Sequence, residues 1–132
     1  MQNAGMTSII QNISVDCADP YPLCEFWSQV LGIAMDPDDS PGDDEVGFLL
    51  DERQTLLFLK VPEPKTVKNR LHFCLQPQQL RDEEVARLTG IGATLVADRR
   101  NPDGTGWAVL ADPEGNEFCV LRSAEERAAT SG

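Results

Sequence analysis

Near its start the chain alternates apolar and polar residues, a pattern that is typical of a strand with one buried face. Within residues 8–17, SIIQNISVDC, isoleucine and valine side chains are separated by polar positions. Because side chains two residues apart share a face of a strand, Asn12 and Ser14 are expected on the same side. This stretch therefore predicts the first strand.

The next stretch has the spacing of an amphipathic helix. Asp19 is a residue type that caps helices, Pro20 suits the first helical position, and Gly32 is typical of a helix end. Between them, apolar residues fall at positions i, i+3, i+4, i+7 and i+8, which places them on one buried face. These residues are Leu23, Phe26, Trp27, Val30 and Leu31.

Two short apolar runs then follow an acidic loop. The loop at 36–45, DPDDSPGDDE, carries six carboxylates, but Pro37 and Pro41 interrupt the regular ligand spacing of a calcium site. The pattern favours a solvated loop. The runs VGFLL and TLLFLKV are separated by the polar turn DERQ, which predicts a β-hairpin.

The same order of elements recurs in the second half of the chain, after a polar, proline-bearing connector at residues 62–68. The pattern reads strand, helix and three strands, twice. In the second half the predicted elements are a strand at 69–76, a helix at 77–90 that uses Leu80, Val85 and Leu88, and strands at 93–98, 106–112 and 117–122.

A duplicated unit places equivalent residues at a constant offset along the sequence. The differences 73 − 13 and 118 − 58 both equal 60, which pairs Phe73 with Ile13 and Phe118 with Phe58. The helices match better at an offset of 58, as 85 − 27 shows, which indicates a small insertion or deletion between the copies. The repeat indicates two related modules.

Composition narrows the class of protein. A chain of 132 residues with 41% hydrophobic and 25% charged content is expected to form one globular domain. The formal net charge of −11 would repel nucleic acid, so no nucleic-acid partner is expected. No apolar run approaches the ~20 residues of a membrane span, and the start has no signal-peptide pattern. Four cysteines without a CxxC pair favour free thiols, and we expect a cytoplasmic protein with no membrane partner.

Two motifs resemble a known group of proteins, the vicinal oxygen chelate superfamily, which includes glyoxalase I, bleomycin-resistance proteins and extradiol dioxygenases. FWSQVLG at 26–32 is similar to its first-helix signature, and DPEGNEFCVL at 112–121 is similar to its final hairpin. DCADP and VPEPKTVKNRLH extend the resemblance to the glyoxalase-like subgroup. The resemblance implies an α+β fold in which two βαβββ modules form a curled-sheet cup, commonly in a homodimer. The expected domain is 8–122, with module one at 8–61, the connector at 62–68, module two at 69–122 and a polar tail at 123–132.

The resemblance also implies four metal-ligand positions, which fall on Asn12, Leu59, His72 and Cys119. Leucine has no donor atom, and an asparagine carbonyl is a weak ligand, so this set is poor for a catalytic ion. We therefore expect no cofactor. If a divalent metal is retained, the expected ligands are a rearranged set of His72, Cys119 and Glu117.

Strand alternation widens the expected ligand-binding cup, because neighbours two residues apart share a face. His72 is the single histidine, and its role stays open between a wall residue, a general base and a metal ligand. Arg70 is placed to meet an anionic group, and Trp107 to floor the pocket. The expected lining residues are Asn12, Ser14, Leu59, Arg70, His72, Cys74, Trp107, Glu117 and Cys119.

The sequence therefore predicts a glyoxalase-like protein that binds a small organic molecule without the family's usual metal. The alternative is a divalent-metal-dependent lyase, isomerase or dioxygenase. A third hypothesis is metal-free acid/base catalysis by His72. Cys119 is expected to be a small buried residue rather than a nucleophile.

Overall fold

The computed structural model describes residues 7–129 of the chain. It divides into two compact units, Met1–Glu63 and Pro64–Gly132, and this division falls within the predicted connector at 62–68. The predicted absence of a signal segment concerns the first six residues, which lie outside the described part. So do the last three residues of the predicted polar tail.

The first unit contains a three-stranded sheet and one helix. Strand β1 (Asn12–Cys17) pairs in parallel with β3 (Thr55–Lys60), which pairs antiparallel with β2 (Glu45–Leu49). Helix α1 (Pro20–Leu31) connects β1 to β2 and packs against β2 and β3. The hairpin, the helix and the mixed α+β class are confirmed.

Helix α1 shows how closely local signals set a boundary. It begins at Pro20, whose missing N–H costs nothing at a helix start, and it ends at Leu31. The C-cap residue Gly32 has φ +69°, a left-handed conformation that glycine adopts without strain. Asp19 is the N-cap residue but makes no side-chain capping hydrogen bond. Of the five predicted core residues of this helix, only Leu31 is half-buried rather than buried.

In the described part of the first unit, two strands rather than three follow the helix. The intervening loop satisfies its backbone locally: the Asp38 N–H donates to Asp36 Oδ1 at 3.0 Å, and the Ser40 N–H to Asp43 Oδ2 at 3.0 Å. Short acidic side chains thus compete with a strand ladder for the same N–H groups. Pro37 and Pro41 have no N–H to contribute.

The second unit contains a four-stranded sheet in the order β4-β7-β6-β5. β4 and β7 are parallel, and the other two pairs are antiparallel. Of the helices in the described residues, none has the length and hydrophobicity that a membrane crossing requires. The elements are β4 (Cys74–Leu75), α2 (Arg81–Gly90), β5 (Thr94–Arg100), β6 (Gly106–Ala111), β7 (Glu117–Val120) and α3 (Ala124–Ala129).

The sheet of the second unit has one buried and one open face. Leu110, Phe118 and Val120 are at most 1% exposed, and α2, which contacts β7, buries Val85 and Leu88. The alternate residues of β6 and β7 are half-buried or exposed, as strand alternation requires. The core therefore lies on the α2 face and leaves the opposite face accessible.

Two predicted features of this unit were wrong in extent. The strand predicted at 69–76 is reduced to Cys74–Leu75, and Leu71 is 87% exposed. As an edge strand, this segment can pair on one side only. Two amides, those of Cys119 and Leu121, donate to the Phe73 and Leu75 carbonyls, each at 2.8 Å. Leu80 is not a core residue, because the helix begins one residue after it and leaves its side chain 49% exposed.

Glu84 on α2 is expected to make stability depend on pH. It is 8% exposed, and Arg87 donates to both of its carboxylate oxygens at 2.8 Å. The hydrogen bonds from Arg87 lower its pKa below the ordinary 4.5, although burial opposes the shift. Because the pKa of Glu84 is lower in the folded protein, its ionised carboxylate stabilises the fold at pH values above the ordinary pKa. That contribution is lost as the pH falls through the folded-state pKa.

We expect Glu84→Gln to reduce the loss of unfolding free energy between about pH 6 and about pH 3 by about 1 kcal/mol. Urea unfolding at both pH values measures it. Glu83→Gln, an exposed neighbour on the same helix, is the control and should behave like the unaltered protein. An equal loss in all three proteins would contradict the role of the Arg87 pair.

Candidate functional site

The open face of the second sheet carries a pocket of about 540 Å³. Backbone pairing aligns one row of side chains across all four strands: Cys74 pairs with Cys119, Cys119 with Val109, and Val109 with Ala97. Every member of this row lines the pocket. Register and alternation together therefore place the two cysteines side by side in an accessible cavity.

His72 completes a group of three donor side chains with these cysteines. Its Nδ1 atom lies 3.7 Å from Cys74 Sγ. One donor atom from each of His72, Cys74 and Cys119 lies within 4.8 Å of the others, and within residues 7–129 no other group of three histidine, cysteine or acidic side chains converges in this way. The carboxylates of the acidic loop at 36–45 form no such group among the described residues.

The two thiols of this pocket differ in environment. Cys74 is exposed, whereas Cys119 is partly covered. Burial and, after it, the neighbouring Cys74 raise the pKa of Cys119. All four cysteines are free, as predicted, and Cys24 in the first unit has its pKa raised to about 12, first by burial and then by Asp39.

Glu117 braces the edge of the pocket. Its carboxylate accepts the Asn69 N–H at 3.2 Å and lies 3.3 Å from Lys65 Nζ, while its own N–H donates to Asn69 Oδ1 at 3.0 Å. Burial opposes ionisation, but the hydrogen bonds that the carboxylate accepts, from the Asn69 N–H first and also from Lys65, lower its pKa overall. The carboxylate therefore fastens the segment that leads to His72, and it does not belong to the group of converging donors.

The remaining lining is apolar with a positive rim. Trp107 and Val96 are 44% and 53% exposed, and Lys68 and Arg99 add two cations in a chain whose net charge is −11. Trp107 lines the pocket and is not a core residue. Arg99 was not predicted as a lining residue, although its alternation with Ala97 along one strand was a usable signal. Lys68 falls within the predicted connector at 62–68.

The structure places the predicted site residues in both units. His72, Cys74, Trp107, Glu117 and Cys119 line one pocket, and Arg70 is exposed and is not among the lining residues of that pocket. Asn12, Ser14 and Leu59 lie on β1 and β3 of the first unit. Their role in ligand binding stays a prediction.

Strand pairing refines the correspondence between the two halves. Asp16 pairs with Leu59 in the first unit, and Cys74 pairs with Cys119 in the second. The offsets are 119 − 59 = 60 for the last strand but 74 − 16 = 58 for the first. The strand register therefore makes Ser14, as well as Asn12, a candidate equivalent of His72.

This correspondence tests whether the family's four metal positions fit an ion here. With either Asn12 or Ser14 at the first position and Leu59 at the second, the first unit offers one weak oxygen donor and one side chain with no lone pair. The residues present do not fit the family's metal.

Each unit has one parallel strand pair and is otherwise antiparallel, a mixed arrangement shared by the α+β class of glyoxalase and bleomycin-resistance proteins. The chain belongs to the glyoxalase-like domain family, whose model matches residues 12–121. The vicinal oxygen chelate resemblance is thereby confirmed. A comparison with curated proteins gave no match.

Solved structures share the fold at low sequence identity. A glyoxalase/bleomycin resistance protein/dioxygenase family enzyme from Burkholderia phytofirmans is 23% identical with a TM-score of 0.62, over 83% of this chain and 94% of that one. Lactoylglutathione lyase from Agrobacterium tumefaciens is 22% identical with a TM-score of 0.58, over 89% and 94%. A hypothetical protein from S. aureus is 19% identical with a TM-score of 0.63, over 89% and 94%. At these identities the likeness shows the fold alone.

Proposed function

We propose that this protein binds a small organic anion with an apolar or aromatic body, without the family's usual metal. The observation that carries the proposal is the pocket of the second unit, which combines an exposed apolar floor with two cations. Its volume of about 540 Å³ suits a small molecule, since ligand pockets range over about 300–1,000 Å³.

The chemistry of the lining supports this class of ligand. Trp107 and Val96 offer apolar surface that water solvates poorly, and a ligand that covers them gains the hydrophobic free energy of their burial. Lys68 and Arg99 lie at the same pocket, and neither has its charge matched by Glu117, which is already bound to Lys65. An anionic group on the ligand would be attracted to this rim against an acidic background.

The test uses two fluorescent probes that share one aromatic body. 1-Anilinonaphthalene-8-sulfonate carries a sulfonate, and N-phenyl-1-naphthylamine does not. Titrated into reduced protein in the presence of a chelator, the sulfonate probe should bind at one site and about tenfold more tightly than the neutral probe, which corresponds to about 1.4 kcal/mol. The preference should disappear in a Lys68→Met, Arg99→Met double variant.

Arg53→Met is the matched control, because Arg53 is an exposed arginine of the first unit. It should leave both affinities unchanged. Trp107→Ala should weaken both probes together, since it removes apolar surface and no charge. Equal affinity for the two probes, or a double variant that keeps the preference, would contradict the proposal.

We also propose the compartment in which the protein works and its oligomeric state. Four free cysteines suit a reducing compartment, and we propose the cytoplasm. The family resemblance supports a homodimer. Analytical ultracentrifugation of reduced protein tests the assembly, and a concentration-independent monomer would contradict it.

A further inference from the structure

The three donor side chains of the second unit have the composition of a site for a thiophilic cation. Two sulfur atoms and one imidazole nitrogen are ligands that Zn²⁺ and softer ions prefer, whereas Mg²⁺ and Ca²⁺ prefer oxygen. We propose that His72, Cys74 and Cys119 bind one cation of the Zn²⁺ class. Each thiol gives its proton to solvent as its sulfur binds, so two thiolates balance the double charge of the ion.

The distances support this assignment. In a tetrahedral zinc site, bonds of about 2.3 Å to sulfur and about 2.0–2.1 Å to nitrogen set neighbouring N and S atoms about 3.6 Å apart and two S atoms about 3.8 Å apart. The Nδ1 of His72 lies 3.7 Å from Cys74 Sγ, and the three donor atoms lie within 4.8 Å of one another. The three donors are therefore already close to the spacing of a tetrahedral site.

The backbone explains why the donors converge. Cys74 and Cys119 are directly paired residues of parallel strands, so their side chains lie on the same face of the sheet. His72 precedes Cys74 by two residues, and its side chain lies against the Cys74 thiol. All three line the pocket, and His72 and Cys74 are exposed, so an ion can enter from solvent.

This site shares His72 and Cys119 with the family's four positions and with the ligand set predicted from sequence, but Cys74 takes the place of their other members. It uses no residue of the first unit. It excludes Glu117, whose carboxylate is held by Asn69 and Lys65. Three protein ligands leave a fourth coordination position for water or for a bound ligand.

The test is a titration of reduced, metal-free protein with Co²⁺ alone. Binding is followed by thiolate-to-cobalt charge-transfer absorption in the near ultraviolet and by the visible absorption of tetrahedral cobalt. We expect saturation at one ion per chain, displacement by Zn²⁺ and no displacement by Mg²⁺. His72→Ala, Cys74→Ser and Cys119→Ser should each weaken binding by more than about 100-fold, because even residues that only orient ligands contribute about 10–100-fold.

Two further variants make the result specific. Cys17→Ala removes a thiol of the first unit and should leave the titration unchanged. Glu117→Gln should also keep the charge-transfer band, whereas loss of the band in Glu117→Gln with retention in Cys74→Ser would overturn the proposal. Absence of cobalt binding by reduced protein with an unchanged circular dichroism spectrum would overturn it as well.

The cation site does not depend on the proposed organic ligand. The cobalt titration contains no organic probe, and the fluorescence titrations contain a chelator. Failure of one experiment is therefore distinguishable from failure of the other.

Discussion

Replacing Phe118 by alanine is expected to lower the free energy of unfolding by about 3–5 kcal/mol, the usual cost of removing a buried aromatic ring. Phe118 is 1% exposed at the centre of the second sheet and lies on the face that packs against α2. The cavity left by the ring cannot be filled from solvent, because Leu110 and Val120 beside it are fully buried. This loss is a large part of the stability of an ordinary domain.

Urea unfolding followed by circular dichroism measures this loss. Trp107→Ala is the control, since it removes a larger side chain from the opposite, open face of the same sheet. It should cost less than about 1.5 kcal/mol, because 44% of Trp107 is already exposed. Equal losses for the two variants would mean that the two faces of the sheet have been wrongly assigned.

The second large effect is expected at Gly106. Its φ is +90°, and a Cβ placed there would collide with the backbone carbonyl of Arg99 on the neighbouring strand. That strand cannot retreat without breaking the pairing of β5 with β6, and the Gly106 carbonyl also accepts a hydrogen bond from Arg81 at 2.6 Å. We expect Gly106→Ala to cost about 3 kcal/mol or more, from backbone strain and collision together.

Two other glycines separate strain from collision. Gly115 has φ +89° with open space around it, so Gly115→Ala should cost about 1–2 kcal/mol from strain alone. Gly90 ends α2 with open space and no positive φ, so Gly90→Ala should stabilise the protein by about 0.5–1 kcal/mol. Thermal or urea unfolding of the three variants should give this order, and any other order would contradict the geometry at Gly106.

Sequence signals predicted an element correctly where residues within that element determine where it begins and ends. Pro20 and Gly32 fixed the limits of α1, because each has a backbone preference that does not depend on neighbours. The strand at 69–76 was overestimated because an edge strand extends only as far as its partner supplies donors, and that partner is far along the chain. Leu80 was wrongly predicted as a core residue because α2 begins one residue later than the pattern requires. A shift of one residue is enough to turn a side chain towards solvent.

For the candidate site, the sequence predicted several of the residues that line the pocket but not how they are arranged in it. Alternation grouped His72 with Cys74 and Glu117 with Cys119, and all four line the pocket, although His72 lies outside β4. It contained no information on the register between β4 and β7, which brings Cys74 against Cys119. The engagement of Glu117 by Asn69 and Lys65 was equally invisible, since it joins residues 48 and 52 positions apart.

The three donors His72, Cys74 and Cys119 all come from one half of a duplicated chain. A substitution at Asn12 or Leu59 therefore leaves that donor set intact.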